Sequence, residues 1–378
     1  MTALEPRQGR RTGQPRAVVY VATSHDWHGY QHFYQGLATE FAKTRTVLYV
    51  GGVSTKPVRG EWLTEQAANI WLLRTWVPRG AGRRLFRPIR DRLLARNVRR
   101  ALRALGIAPN DTMVFAFTTD AAVFLRQTPE ATSVYWTGDE VTDPFEGSLL
   151  DAVDWVFTVS PAALEDKRQR FARGRVVPMP MAIDPAPYEA AAERGVVPDD
   201  LADLARPLLG YGGAVNNRTD WVLVRDLARR TSGTVVVVGP PNDEVGRQQM
   251  ATPGPPNLVF LGHREAPASA AYVAAFDVGL LPYRLTAFNL GSNPVKAYDY
   301  LAAGVPVVST NLPALAALAP HVARAKDAED FVALVGVVAS RRRADSDVAA
   351  RQAVARQHSY QALVRRIDET LGTSALVT

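Results

Sequence analysis

From residue 17 onward, short apolar runs rich in Val, Ile, Leu and aromatic residues alternate with longer stretches whose apolar positions recur every three or four residues. A strand covered on both faces reads as a continuous apolar run and a covering helix buries one stripe, so the alternation predicts parallel strands joined by helices. The runs predict strands at residues 17–22, 46–50, 70–73, 112–117, 133–136 and 155–159, and then at 208–211, 234–238, 258–261, 278–281 and 305–309. Between the two series, residues 184–207 collect Asp184, Pro185, Pro187, Pro198, Asp199, Asp200 and Pro207, which breaks the pattern and reads as a linker. After Asp327 the pattern is helical to about Leu371, and Leu363, Ile367 and Leu371 form an i, i+4, i+8 stripe that must be buried. The expected organisation is a disordered leader at 1–16, a first domain at 17–185, a linker at 186–207, a second domain at 208–357, and a terminal helix and tail at 358–378.

Length and composition agree with two lobes. A chain of 378 residues is too long for one ordinary core, and 47% apolar with 21% charged residues describes a globular protein. No apolar run reaches the length of a bilayer span, and the polar leader lacks the apolar segment of a secretory signal. The chain has no cysteine, which excludes disulfides, thiolate catalysis and Cys-ligated metal, and fits a reducing cytoplasm. The net charge of +7 is carried by Arg, because Lys occurs only at positions 43, 56, 167, 296 and 326. Such a charge suits nucleic acid, an anionic membrane or a phosphorylated substrate.

In parallel sheets, ligands bind at the carboxyl ends of strands, so the loops there carry the candidate chemistry. Tyr211-Gly212-Gly213-Ala214-Val215-Asn216-Asn217-Arg218 follows a strand. Paired glycines admit close approach of backbone amides to an anion, and Arg218 adds a charge-assisted contact to a diphosphate. An ordinary strand-to-helix turn capped by Thr219 or Asp220 is the plain alternative. Further on, Ser292-Asn293-Pro294-Val295-Lys296-Ala297-Tyr298-Asp299 places Ser292 or Asn293 as a helix cap, with Lys296 and Asp299 on one face and Gly304 ending the helix. The plain alternative here is a surface Lys–Asp pair of little energetic worth.

The string Gly291 to Thr310 resembles the signature of retaining GT-B glycosyltransferases of family 4, especially their teichuronic-acid-type branch. The stretches Asn257 to Arg264, Phe276 to Tyr283, Val156 to Ser160 with Leu164, and Val177 to Asp184 are similar to that family as well, although Met179-Pro180 replaces the family's Asn-Gly. The resemblance implies two Rossmann-like doubly wound domains facing a cleft, with the terminal helix crossing back to the first. It also implies transfer of a sugar from a nucleotide-diphosphate donor to a hydroxyl acceptor, with retention and without metal. Asp299 stands where the family has its ribose-binding acid, more usually Glu. Ser292 stands where the family usually has a Glu that contacts the sugar, and this departure bears on sugar choice. Gly212, Gly213, His263, Arg264, Ser292, Asn293, Lys296 and Asp299 are the expected donor-binding residues, His263 and Arg264 lying in the stretch that holds the nucleobase through backbone groups. Arg218 and Lys296 would stabilise the leaving diphosphate. No residue stands out as a covalent nucleophile, which agrees with a front-face mechanism.

The loop Ser24-His25-Asp26-Trp27-His28-Gly29 follows the first strand, and Trp136-Thr137-Gly138-Asp139-Glu140 follows the fifth. The resemblance makes Gly29 a backbone contact and His25, Asp26, His28 and Asp139 acceptor contacts, with Asp139 in the catalytic set. The two histidines beside Asp26 also admit a zinc reading, but no third or fourth ligand lies nearby in the sequence, and the metal-free reading is preferred.

Between Arg79 and Arg103 lie ten arginines against one acid, Asp91, interleaved with apolar residues at helical spacing. The plain reading is a helix packed on the first sheet with a solvated Arg face. The functional reading is a docking surface for anionic lipid or a phosphorylated, lipid-linked acceptor on the inner face of the membrane. No aromatic interleaving supports nucleic acid. A permanently bound cofactor is not expected; UDP, GDP and dTDP sugars are equally compatible as donors. A sugar-nucleotide epimerase and a non-catalytic nucleotide-sugar or lipid-surface binder are the alternative functions.

Overall fold

The computed structural model describes residues 17–21, 27, 32–51, 54, 61–76, 87–118, 121, 125, 128–138, 146–171, 175–265, 268–341 and 347–373. The chain divides into two compact units: residues up to Pro180 together with Leu363 onward, and Met181–Ala362.

The first unit is built on an eight-stranded sheet ordered β3-β4-β2-β1-β5-β6-β7-β8. Its strands are β1 Ala17–Val21, β2 Thr46–Val50, β3 Leu63–Ala67, β4 Ile70–Leu73, β5 Thr112–Ala116, β6 Thr132–Trp136, β7 Trp155–Thr158 and β8 Val176–Pro178. All pair in parallel except the antiparallel edge β3–β4. Its helices are α1 His32–Ala42, α2 Arg87–Ala104, α3 Gly147–Leu150 and α4 Pro161–Arg170. Strand β5 is buried along its whole length, which accounts for its unbroken apolar sequence. The start of α4 is fixed by Ser160, whose hydroxyl accepts from the Ala163 amide, with Pro161 in the first turn.

The second unit carries a six-stranded, all-parallel sheet ordered β11-β10-β9-β12-β13-β14. Its strands are β9 Leu208–Gly212, β10 Thr234–Val238, β11 Leu258–Gly262, β12 Val278–Leu281, β13 Val307–Thr310 and β14 Val322–Ala325. Its helices are α5 Ala186–Arg194, α6 Asp199–Ala202, α7 Trp221–Arg230, α8 Glu244–Ala251, α9 Ala268–Ala275, α10 Ala287–Gly291, α11 Lys296–Ala302, α12 Ala328–Arg341, α13 Val348–Gln357 and the terminal α14 Tyr360–Thr373. Both sheets reverse direction beside their first strand, the doubly wound order that places loop ends together at the carboxyl edge.

Each expected strand is present within two residues of its place. Strand β13 starts at Val307 instead of residue 305, because the Val305 amide donates to the Tyr300 carbonyl at the helix end and Pro306 has no N–H to give the ladder. The expected linker at 186–207 has a different character. Residues 186–194 and 199–202 form α5 and α6, α5 packs on α9 and α11, and the whole stretch belongs to the second unit. Gly195 closes α5 in the left-handed conformation at φ 61°.

The terminal helix begins in the second unit and its residues from Leu363 belong to the first. Leu363 and Ile367 are buried as their spacing requires, and Arg45 grips Asp368 through both carboxylate oxygens at 2.7 Å. In the second unit the two passing segments are tied together: the Ile183 amide donates to the His358 carbonyl at 3.0 Å and the Tyr360 amide to the Ile183 carbonyl at 3.1 Å.

Candidate active site

The candidate donor residues meet at the carboxyl end of the second sheet. Strand β9 runs Leu-Leu-Gly-Tyr-Gly and leads into Gly213, and Gly210 and Gly213 each have a packing reason. Gly210 lies under the Phe276 ring, where any side chain would overlap it. At Gly213, φ 150° takes the chain around the strand end, and the Lys296 side chain lies against its Cα. Residues on two loops far apart in sequence are thereby brought into contact.

The glycine amides do not have the role expected from the sequence. The Gly212 N–H donates to the Tyr300 hydroxyl at 2.8 Å and the Gly213 N–H to the Val238 carbonyl at 2.7 Å. Both donors are consumed within the fold, so the glycines give close approach, and the positive charge near them resides in the Arg218 and Lys296 side chains. The helix cap is also placed differently. Helix α11 begins at Lys296 with no side-chain cap, and the Ser292 hydroxyl and amide both donate back to the Asn289 carbonyl, at 2.9 and 3.2 Å. Ser292 ends the preceding short helix instead of opening the next one. Asp220 does cap α7, accepting from the Leu223 amide at 3.0 Å.

Arg218 is half-buried between two rings, its guanidinium carbon 4.7 Å from the Phe288 centroid and 5.4 Å from that of Tyr283. Its Nε donates to Asn289 Oδ1 at 2.9 Å, and the Asn289 amide returns a bond to the Arg218 carbonyl at 2.9 Å. Asn289 thus holds Arg218 by both its guanidinium Nε and its backbone carbonyl.

Lys296 is half-buried with its ammonium 5.9 Å from the Tyr211 ring centroid. Among the described residues it makes no hydrogen bond and no ion pair. Burial disfavours its charge, but Tyr283, Tyr211 and Asp299 outweigh that, and its pKa lies above the usual lysine value. The ammonium is therefore charged at neutral pH and has an open hydrogen-bonding shell. Asp299, three residues on and on the same face, is pushed up to about 7 by burial, with Lys296 and a hydrogen bond from Tyr188 acting in the opposite direction. The Tyr211 hydroxyl, pushed up to about 12 mainly by burial, donates to the Ala214 carbonyl at 3.0 Å. Asn293 is 6% exposed; it hydrogen-bonds Tyr298, and its Oδ1 has no partner among the described residues.

Two expected residues lie at the neighbouring strand end. The Gly239 amide donates to the Gly262 carbonyl at 2.8 Å, and the Gly239 Cα presses on the Gly213 carbonyl, so the ends of β9, β10 and β11 are contiguous there. His263 is exposed just beyond. The Arg264 side chain is committed inward, to Asp200 at 2.8 Å, the Tyr272 hydroxyl at 2.9 Å and the Leu261 carbonyl at 2.6 Å. Its guanidinium is a brace, leaving its backbone as the part available to a base.

His25, Asp26, His28, Gly29 and Asp139 lie outside the described residues. The strand end before Asp139 is apolar and aromatic: Trp136 packs on Phe33 and Phe157 with centroids 5.5 Å away in each case. Downstream, Glu146 and Lys167 form a buried pair at 2.7 Å, joined by Arg170 and Asp166. Tyr188, Tyr283 and Asn289 belong to the site as the structure assembles it and were not singled out from the sequence. Asn289 had no motif to mark it, whereas Tyr283 ends a recognised strand and loop.

This architecture is the GT-B fold: two parallel-sheet α/β units of doubly wound order, the second with a charged loop cluster at its carboxyl edge. Solved structures of that shape match almost the full chain at 14% identity. They include sucrose-phosphate synthase from Thermosynechococcus elongatus, with TM-score 0.69 over 97% of this chain and 100% of that one. Another is the E. coli trehalose-6-phosphate protein bound with UDP-2-fluoro glucose, at TM-score 0.68 over 94% and 99%. A third is Anabaena Alr3699/HepE in complex with UDP, at TM-score 0.67 over 94% and 99%. Such identities establish the fold alone. Residues 207–340, about a third of the chain, match the family described as Glycosyl transferases group 1. The putative teichuronic acid biosynthesis glycosyltransferase TuaH of Bacillus subtilis (strain 168) is 27% identical over 172 residues, which is 44% of this chain. The match spans 43% of that relative's length.

Proposed function

We propose that the protein is a glycosyltransferase that moves a sugar from a nucleotide diphosphate to a hydroxyl acceptor, with retention and without a bound metal. One observation carries this reading: a half-buried ammonium, Lys296, with no acceptor among the described residues, beside Arg218 and against the glycine turn in the segment that matches the group 1 family. Two fixed cations are the electrostatic requirement for a departing diphosphate, because they sit where charge develops and need no reorganisation. Asp299 accepts the ribose hydroxyls, and the backbone around His263 and Arg264 meets the base. Asn293, with its unpartnered oxygen, faces the donor with Ser292. The acceptor meets His25, Asp26, His28, Gly29 and Asp139.

In the proposed reaction the acceptor oxygen attacks the anomeric carbon on the face from which the diphosphate leaves. The bond from that carbon to the phosphate oxygen breaks, and the acceptor proton passes to the departing phosphate. Lys296→Met keeps the stem that packs on Gly213 and removes the charge. It is expected to lower kcat/KM for sugar transfer by about 100-fold or more, the usual cost of one transition-state donor, with the melting temperature little changed. Transfer at the wild-type rate would remove the assignment. Release of free nucleotide without any acceptor would instead indicate an epimerase.

We also place an anionic membrane surface against α2, as a peripheral contact close to a lipid-linked acceptor. Among the described residues, no helix is long and apolar enough to cross a membrane. The support for surface contact is the cationic face of α2.

A further inference from the structure

The backbone carrying Asp299 is locked on both sides. Tyr298 stacks on His358 with centroids 4.2 Å apart and planes 22° from parallel. Tyr300 is fully buried, its hydroxyl accepting from the Gly212 amide at 2.8 Å and donating to the Leu280 carbonyl at 3.4 Å. These contacts set the rotation of α11, so the only freedom left at Asp299 is in its own side-chain torsions. Tyr188 reaches it from α5, which packs across α11, and hydrogen-bonds its carboxyl group.

We propose that Tyr188 is a positioning residue for the donor: its hydroxyl holds the Asp299 carboxylate in the orientation that accepts the two ribose hydroxyls of a nucleoside diphosphate. This rests on the ribose-binding reading of Asp299. An ionised carboxylate offers about four lone-pair directions; one is taken by Tyr188, and the others remain for ligand. A short Asp side chain set back by burial gains more from such a fixed partner than an exposed one, because its own solvation no longer orients it.

The same bond has a pH consequence. Asp299 is faced by Lys296 and Tyr300 from its own helix, Tyr188 from α5 and Tyr360 from the start of α14. Only the ionised carboxylate accepts from both ribose hydroxyls, and Asp299 titrates at about 7. Donor affinity should therefore fall as pH drops through neutrality. The Tyr188 hydroxyl favours the charged form, so its removal moves this acid limb to higher pH.

The test is titration of the purified protein with UDP, GDP and dTDP from about pH 6 to about pH 9, for wild type, Tyr188→Phe, Asp299→Asn and the double variant. Tyr188→Phe is expected to weaken binding about tenfold at neutral pH, to shift the acid limb upward, and to keep part of the loss at the alkaline end, where the carboxylate is ionised but no longer held. Asp299→Asn is expected to abolish the limb, and Tyr188→Phe should add nothing in that background. A limb that does not move, or full return to wild-type affinity at the alkaline end, would overturn the positioning role while leaving the Asp299 reading intact. Wild-type affinity in Asp299→Asn, or no binding of any of the three nucleotides by the wild type, would overturn the Asp299 reading and the proposal with it.

Discussion

At Asp299 the protein keeps a carboxyl group where folding alone would not place one. Its pKa, about 7, lies above the unfolded value, so between about pH 4 and neutrality the folded state binds a proton that the unfolded chain has already released. The resulting penalty grows as pH rises through that window and is complete above it. Asp299→Asn removes the charge, so the variant should melt at a higher temperature than wild type at pH 8, with the difference disappearing near pH 4. Calorimetry at the two pH values measures this; an Asn variant less stable than wild type at alkaline pH would show that the carboxylate is supported by more than Lys296 and Tyr188. The Lys296 and Asp299 positions were legible in the sequence because helical spacing puts residues three apart on one face. The fate of the Gly212 and Gly213 amides was not legible, because it depends on Tyr300 and Val238, which only the folded sheet brings near. Tyr188 was hidden for another reason: it lies in the segment whose prolines and acids read as a linker.

At the scale of elements, α2 has a clear division of faces. Arg92, Arg96, Arg99, Arg100 and Arg103 fall within roughly 100° of arc at the helical repeat; on the other side Leu94 is buried, and Ala95, Val98, Ala101 and Leu102 are buried in the first unit's core. Arg99 pairs with Glu130 at 3.8 Å, and Arg100 lies 4.4 Å above the Trp62 ring in a cation–π contact. Each such Arg contributes about 1 kcal/mol beside an anionic bilayer. The triple variant R92E/R96E/R103E should lose sedimentation with phosphatidylglycerol-containing vesicles while keeping its nucleotide affinity; vesicle binding equal to wild type would leave the Arg face merely solvated. The elements missed in the sequence share a cause. Strand β3 is polar, Leu-Thr-Glu-Gln-Ala, and half-exposed at the sheet edge, while β8 and β14 are three and four residues long. Edge strands need only one buried face and so lack the continuous apolar run. Helix α5, by contrast, carried its own signals, an Ala-rich run closed by Gly195, which the flanking prolines obscured.

Over the whole molecule, the division into two doubly wound units was readable from the two alternating series; the apolar stripe of the terminal helix required burial, and its return to the first unit was implied only by the family resemblance. The placement of the boundary was not readable: it falls at Pro180, and residues 181–207 join the second unit because α5 packs on α9 and α11. That arrangement puts every group of the proposed donor site on the second unit, with Arg218, Lys296, Asp299 and Tyr188 all on residues 181–362. The measurement that tests this most directly is isothermal titration of UDP, GDP and dTDP into wild type and Lys296→Met. At least one nucleoside diphosphate should bind the wild type, and its affinity should fall by about tenfold or more when the ammonium is removed. Binding of that nucleotide with equal strength by both proteins, or of none by the wild type, would contradict the account.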